Sequence, residues 1–379
     1  MKRLCVLLLA AALLTPTVHA APAPFSGQLS ADAALLMERD TGIVLYEKNA
    51  HAQHVPASVP KVMTLLLLFE ALDAGLIGRD ETVTVSANAA GMGGSQVYLK
   101  EGEQFSVWEL LKCVTVASAN DAAVALAEHL AGSEEAFVAR MNQRAAQLGM
   151  ADTHFLNCTG LPAAGHLTSA YDIALMSRQL ILDHPAVREF TTIWMDSFRD
   201  GTFGLTNTNR LVRFYNGATG LKTGSTSSAG CCISATAERD GMELIAVILK
   251  APTSPQRFED AKALLDYGFA SCALAAVYPD APLSPIPVVL GESAQVQPVL
   301  QRDCRLLVAR GEEGQITTRV TLPDDLEAPV EQDQLLGQME VYVGDELRDT
   351  VPILAGQPVA RLTTGGIFSR LLRQLLMAE

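Results

Sequence analysis

Three short stretches of the chain place hydroxyls, amines and an amide at spacings that suit acyl transfer. In "PASVPK", Ser58 and Lys61 stand three residues apart at the head of an apolar run. Residues i and i+3 share a helix face, so at a helix N-terminus the serine oxygen can face the lysine amine. Burial would push that amine toward its neutral form, able to take the proton of a serine nucleophile. The chain has eight lysines, and Lys61 alone has a serine three positions before it. The plain alternative is a helix cap. Ser58 suits that role, and Pro60 is harmless in a first turn because its N–H would lack a helical partner anyway.

"SAND" then offers the hydroxyl of Ser118 and the amide of Asn120, which can relay a proton and hold a peptide carbonyl. "KTG" offers Lys222 as a cation, Thr223 as a hydroxyl, and Gly224, which lets a strand approach substrate backbone closely. A second "SAN" at 86–88 runs into "AAGMGGSQ", a glycine-rich loop with no helix to hold it, so Ser118 is preferred over Ser86. That loop is no phosphate cradle, having no following Lys-Ser/Thr; it is expected to pass near the site.

These residues need elements to hold them. "AALLMERDTGIVLYEKNA" (33–50) reads as a hairpin turning at Asp40-Thr41-Gly42. "KVMTLLLLFEALDAG" is helical and stops at Gly75. Helices are also expected over 106–113, 119–132, 133–149 and 169–182, with Ser133 as a cap and Gly149 as a stop. A second hairpin over 229–251 turns at Asp240-Gly241, and 254–270 returns to helix. The picture is a sheet made from the two ends of a catalytic region, with a helical insertion between them. Four prolines in "YPDAPLSPIPVV" mark a linker. Short β-type runs follow, with Gly344-Asp345 as a hairpin turn, and "GGIFSRLLRQLLMAE" is helical again.

At 379 residues the chain is long enough for two or three domains with a packed core. Lys2 and Arg3 precede a ten-residue apolar stretch from Cys5 to Leu14, and Val18-His19-Ala20 offers small residues for cleavage. Residues 1–20 therefore read as a secretory signal, too short to stay as a membrane span. Losing its two cations moves the net charge from −14 to −16, which argues against a nucleic-acid partner. The six remaining cysteines, Cys113, Cys158, Cys231, Cys232, Cys272 and Cys304, fit no disulfide framework and read as buried thiols. His51, His54, His154 and His166 show no metal spacing and read as surface or satisfied core residues. No metal or other cofactor is implied.

All three motifs, in this order, resemble those of penicillin-binding proteins and class A β-lactamases. The likeness extends through "VPASVPKVMT", "GGSQVYLKEGEQFSVWELL", "ASANDAAVALAEH", "FLNCTGLP" and "GLKTGSTSSAGCCISATAERDGMELIAVIL" to the D-alanyl-D-alanine carboxypeptidases. "APVEQDQLLGQMEVYV" resembles their trailing β-domain. The resemblance implies an α+β catalytic domain over 21–275, an antiparallel sheet flanked by helices. It also implies an all-β domain over 285–355 and an amphipathic membrane-surface helix over 363–379.

It implies that Ser58 attacks the amide between two D-alanines of a peptidoglycan stem peptide. Lys61 takes its proton, Ser118 serves the leaving amine, Asn120 holds the backbone, and the N–H groups of Ser58 and Ser225 form the oxyanion hole. Arg257, 35 residues after Lys222, matches a family arginine that helps hold the terminal carboxylate; otherwise it is a surface arginine at a helix start. β-Lactams would trap Ser58, and the location would be periplasmic or on the outer face of the membrane. A class A β-lactamase needs a carboxylate base between "SAND" and "KTG", yet no Glu occurs from Ala136 to Arg188. A catalytically silent wall-binding protein would not need Ser58, Lys61, Ser118 and Lys222 together.

Overall fold

The computed structural model describes residues 24–376, so the signal segment 1–20 lies outside the described residues. Two compact units divide the chain, one spanning Phe25–Leu274 and the other beginning at Ala275.

The first unit is built on a five-stranded antiparallel sheet. Its strands run Val44–Lys48, Ala33–Glu38, Met242–Ala251, Gly230–Arg239 and Ala218–Thr226 in spatial order. Strands from both ends of the unit meet at its centre, where Ala33 faces Leu249 and Glu38 faces Leu244. Ala33–Glu38 is buried along its whole length, and nine of the ten residues of Met242–Ala251 are buried. Continuous apolar runs of this kind belong to strands covered on both faces. The Asp240-Gly241 turn holds both residues at positive φ (52° and 77°), the twist a two-residue hairpin needs. Glu38 is an acid inside this core. It is satisfied by the N–H groups of Asp40 and Thr41 and by the Thr41 hydroxyl at 2.6–2.9 Å.

The helix Lys61–Asp73 runs through the middle of the unit. Val62, Met63, Leu65, Leu66, Leu68 and Phe69 are each at most 1% exposed, so the helix is buried nearly all round. At about 1.5–3 kcal/mol per large apolar side chain, those six residues alone hold it strongly in place. Its first residue, Lys61, is carried into the core with them. Four further long helices, Val107–Val116, Asn120–Ala131, Glu134–Gln147 and Ala170–Asp183, complete the insertion, and Ser254–Ser271 returns after the sheet. Ser106 and Glu109 form a reciprocal capping box, and Ser133, Ser169 and Thr253 cap their helices.

Some details depart from the sequence reading. Ser86 does start a helix, the single turn Ala87–Ala90, and its hydroxyl is spent on the N–H of Ala89 and on Glu128. His166 is fully buried, yet neither ring nitrogen has a hydrogen-bond partner among the described residues. Burial pushes its pKa down to about 4, so it is a neutral core residue. Cys113, Cys158, Cys232 and Cys304 are buried free thiols, and Cys231 is a half-buried one.

Among the described residues, the second unit is all-β apart from its last helix and one short 3-10 turn. One small sheet joins Gln295–Val296, Ile286–Val289 and Leu326–Glu327, and a four-stranded sheet joins Pro298–Leu300, Glu346–Ala355, Leu335–Val343 and Ile316–Thr321. Its hairpin turns at Gly344-Asp345, with Val343 opposite Glu346. Ile286, Val296, Val330, Leu336 and Val359 are among the residues of its core. The helix Thr364–Leu376 leaves Ile367, Phe368, Leu371, Leu372, Leu375 and Leu376 exposed. No helix of the described residues is long and apolar enough to cross a membrane.

Candidate active site

Ser58 lies in the turn before the central helix, whose N-cap is Pro60, so Ser58 is not the cap. Its half-buried hydroxyl instead meets the Lys61 amine, with Nζ 3.2 Å from Oγ. Lys61 is fully buried, and Nζ also donates to Asn120 Oδ1 at 2.6 Å and to the Thr159 carbonyl at 2.7 Å. Burial lowers its pKa to about 7, against a smaller upward pull from Cys158 and Asp121. A neutral amine has two N–H bonds and one lone pair. The two short contacts to Asn120 and Thr159 engage both N–H bonds, which leaves the lone pair for Ser58 Oγ. An amine placed in this way has the geometry to accept a proton from the serine.

Ser118 sits in the break between Val107–Val116 and Asn120–Ala131, at φ +61°. The break is pinned by the N–H groups of Ala117 and Ala119, both donating to Cys113 O at 3.2 Å. A positive φ is uncommon for a serine, and strain of this kind is tolerated where the surroundings fix it. The Ser118 hydroxyl is buried and has no hydrogen-bond partner among the described residues, so no bond to Lys222 is formed. Asn120 is held on its other side by the glycine-rich loop: its Nδ2 donates to Gly93 O at 2.7 Å and its backbone N–H to Ser95 O at 2.7 Å. That loop does pass beside the site.

The Ala218–Thr226 strand carries Lys222, Thr223, Gly224 and Ser225 along the edge of the sheet. A Cβ on Gly224 would come within 2.5 Å of the Ser58 backbone N and 2.8 Å of Ala57 Cβ. Glycine here is a matter of space, and it brings the strand against the backbone of the serine turn. Ser225 follows it, exposed and paired with Cys231. Thr223 is buried and donates to Thr208 Oγ1 at 2.7 Å.

Lys222 is 1% exposed, and its amine donates to the Thr223 carbonyl at 2.8 Å. Burial, reinforced by Lys61 and Arg257, holds its pKa well below the usual lysine value. Arg257 is buried, not a surface arginine. It lies in the first turn of the Ser254–Ser271 helix and donates to Gly224 O at 3.1 Å, Cys232 O at 3.2 Å and Ser254 Oγ at 2.9 Å, while its Nε is unpaired among the described residues. Among the described residues, Lys61, Lys222 and Arg257 form no ion pair with a carboxylate. Lys222 and Arg257, two buried basic groups without a fixed counter-ion, could receive an anion.

Comparison with known proteins gives this geometry a family. Residues 17–253 match the model of the D-alanyl-D-alanine carboxypeptidase family. The chain belongs to that family. Residues 277–361 of this carboxypeptidase match the C-terminal domain of penicillin-binding protein 5. It is 37% identical to the D-alanyl-D-alanine carboxypeptidase DacF of Bacillus subtilis, over 95% of each chain. It is 30% identical to DacA of Escherichia coli K12, over 98% of this chain and 95% of that one. Its fold matches the crystal structure of penicillin-binding protein 5 from Haemophilus influenzae, with TM-score 0.77, 29% identity, and 88% and 99% of the two chains covered. It also matches penicillin-binding protein D2 from Listeria monocytogenes in its ampicillin-bound form, with TM-score 0.58 and 36% identity. That match covers 64% of this chain and 98% of the other.

Several groups of this carboxypeptidase site carry no motif of their own. Thr159 contributes a backbone carbonyl, which no side-chain pattern announces. Asp121, fully buried, accepts from the N–H groups of Val97, Leu99 and Ala122 at 2.9–3.2 Å and so ties the glycine-rich loop to the Asn120 helix. It stands inside "SAND", where its acid could have been questioned. Thr208 meets Thr223 from a segment fixed by two buried amides: Asn207 donates to Ile193 O, and Asn209 to Gly220 O, both at 2.7 Å. The sequence signal for this segment is Asn207-Thr208-Asn209.

Proposed function

We propose that this carboxypeptidase removes the terminal D-alanine from peptidoglycan stem pentapeptides through an acyl-enzyme on Ser58. The observation that carries the assignment is Lys61, buried and hydrogen-bonded so that its neutral form turns a lone pair toward Ser58 Oγ. Ser58 Oγ attacks the carbonyl carbon between the two D-alanines while its proton passes to Lys61 Nζ. The developing oxyanion is received by the backbone N–H groups of Ser58 and Ser225, a role supported by the close approach of Gly224 to the Ser58 N. The C–N bond then breaks, the leaving amine takes a proton from the side of Ser118, and D-alanine departs. Water hydrolyses the ester and frees Ser58.

Lys222 and Arg257 receive the terminal carboxylate, with Thr223 alongside, and Asn120 orients the stem backbone. An anion bound there would restore the charged form of Lys222, which burial alone disfavours. β-Lactams carry a carboxylate beside a strained amide and acylate the same serine. The chain is exported by residues 1–20, and its catalytic and β-domains occupy 21–275 and 285–355. It rests on the membrane surface through residues 363–379.

The test is mass spectrometry of a D-Ala-D-Ala pentapeptide after incubation. The wild type should release one alanine, and Ser58→Ala should release none and lose covalent labelling by penicillin. An intact peptide beside an opened β-lactam would overturn the assignment.

A further inference from the structure

The carbonyl that holds Lys61 belongs to a tight turn, and one side chain writes that turn. Asn157 Oδ1 accepts from the backbone N–H groups of Thr159, Gly160 and Leu161 at 3.2, 2.7 and 3.1 Å, and from the Thr159 hydroxyl at 3.0 Å. Its Nδ2 donates to Leu161 O at 2.9 Å. The turn passes through Gly160 at φ +84°, where a Cβ would lie 1.6 Å from the Ala57 carbonyl. No other residue fits there, so the turn is pressed against the backbone just before Ser58.

The turn also grips the central helix at two points one turn apart. Thr159 O accepts from Lys61 Nζ, and Cys158 O accepts from Thr64 Oγ1 at 2.7 Å. Outside it, Glu134 Oε1 takes the Cys158 N–H at 3.1 Å and the thiol at 3.3 Å. The carbonyl facing Lys61 is therefore placed by Asn157 within and braced by Glu134 behind.

We infer that Asn157 is a positioning residue for the base: by fixing the Thr159 carbonyl it sets which way the Lys61 lone pair points. This rests on Lys61 acting as the base. It concerns orientation, since the hydrogen bonds of Asn157 go to the turn itself and not to Lys61 or Ser58. The charged and titratable groups around the amine are Asp121 on the Asn120–Ala131 helix, Cys158 in the turn and Lys222 on the strand.

The experiment is the pH profile of penicillin acylation, read as the rate of covalent labelling, in the full chain and in Asn157→Ala and Asn157→Asp. In the wild type the rate should rise with pH through about 7 and level off, because only neutral Lys61 accepts the proton. Asn157→Ala removes the frame of the turn. Its plateau rate should fall about tenfold or more, since misplacing a reacting group by about 1 Å can cost a hundredfold. Asn157→Asp keeps the shape and the acceptor oxygen for the three N–H groups, gives up the donor to Leu161 O, and adds a negative charge, which favours the ammonium form. Its rising limb should move up by about one pH unit with the plateau kept.

If both variants follow the wild-type profile, or lose only melting temperature and the fraction of labelled protein, Asn157 is a structural residue and the inference fails. A wild-type rate flat from pH 6 to 8 would instead remove Lys61 as the base, a result distinct from the first.

Discussion

Lys61 is a case of one residue whose chemistry is made by its address. A lysine on a surface helix is a cation at any physiological pH. Here the first residue of a helix buried all round shares the burial of the apolar residues after it, and its pKa falls to about 7. Arginine would keep the positive charge and the hydrogen-bond donors but could not release a proton. Lys61→Arg should therefore lose acylation by roughly a hundredfold to ten-thousandfold, the usual weight of a general base. The check is the rate of penicillin labelling at neutral pH; substantial labelling would make Lys61 a counter-ion only. The same residue shows what a sequence can and cannot say. The Ser58–Lys61 spacing was legible because it is local. Lys61's second and third partners, Asn120 and Thr159, come from 59 and 98 residues away, and one of them is a bare carbonyl.

At the scale of elements, the site is a seam between a helix start and a sheet edge. Helices and hairpins were readable from periodicity and from the turns at Asp240-Gly241 and Gly344-Asp345, because those signals are set by neighbouring residues. The burial of Arg257 was not readable. Its place at a helix start suits either solvent or core, and only the packing of that helix on the strand Gly230–Arg239 decides between them. Gly224 shows the same limit. "KTG" suggests close approach to a substrate, whereas the nearest neighbour is the enzyme's own Ser58 N. Gly224→Ala should push strand and helix apart. Acylation should fall about a hundredfold or more through the disturbed oxyanion donors, while the core of the unit stays folded. Rapid-mixing measurement of labelling beside a thermal melt separates the two effects. An unchanged acylation rate would mean that the seam is not where the oxyanion is held.

For the whole molecule, the terminal helix raises a question of placement. Ile367, Phe368, Leu371, Leu372, Leu375 and Leu376 range from 37% to 78% exposed, a stripe of large apolar groups. A lipid surface would cover it. Binding should be reversible, because part of the gain is spent on ordering the helix, and stronger on anionic lipid. Vesicle co-sedimentation of the mature protein, with and without residues 365–379, reads this directly. The intact form should pellet with the vesicles and the truncated form should not. Equal behaviour of the two forms would show that the helix is not the anchor.

The pairing of Ala33 with Leu249 has a consequence for the timing of synthesis. More than two hundred residues separate the two strands, so the first hairpin must wait for its partner. At roughly 5–20 residues per second, that wait lasts about ten seconds or more. Until then the centre of the sheet is open, and the strand bearing Lys222 and Gly224 has no finished sheet to hold it against Ser58. A nascent chain is thus catalytically inert by construction. It becomes a target for penicillin only after the last strand of that sheet has emerged.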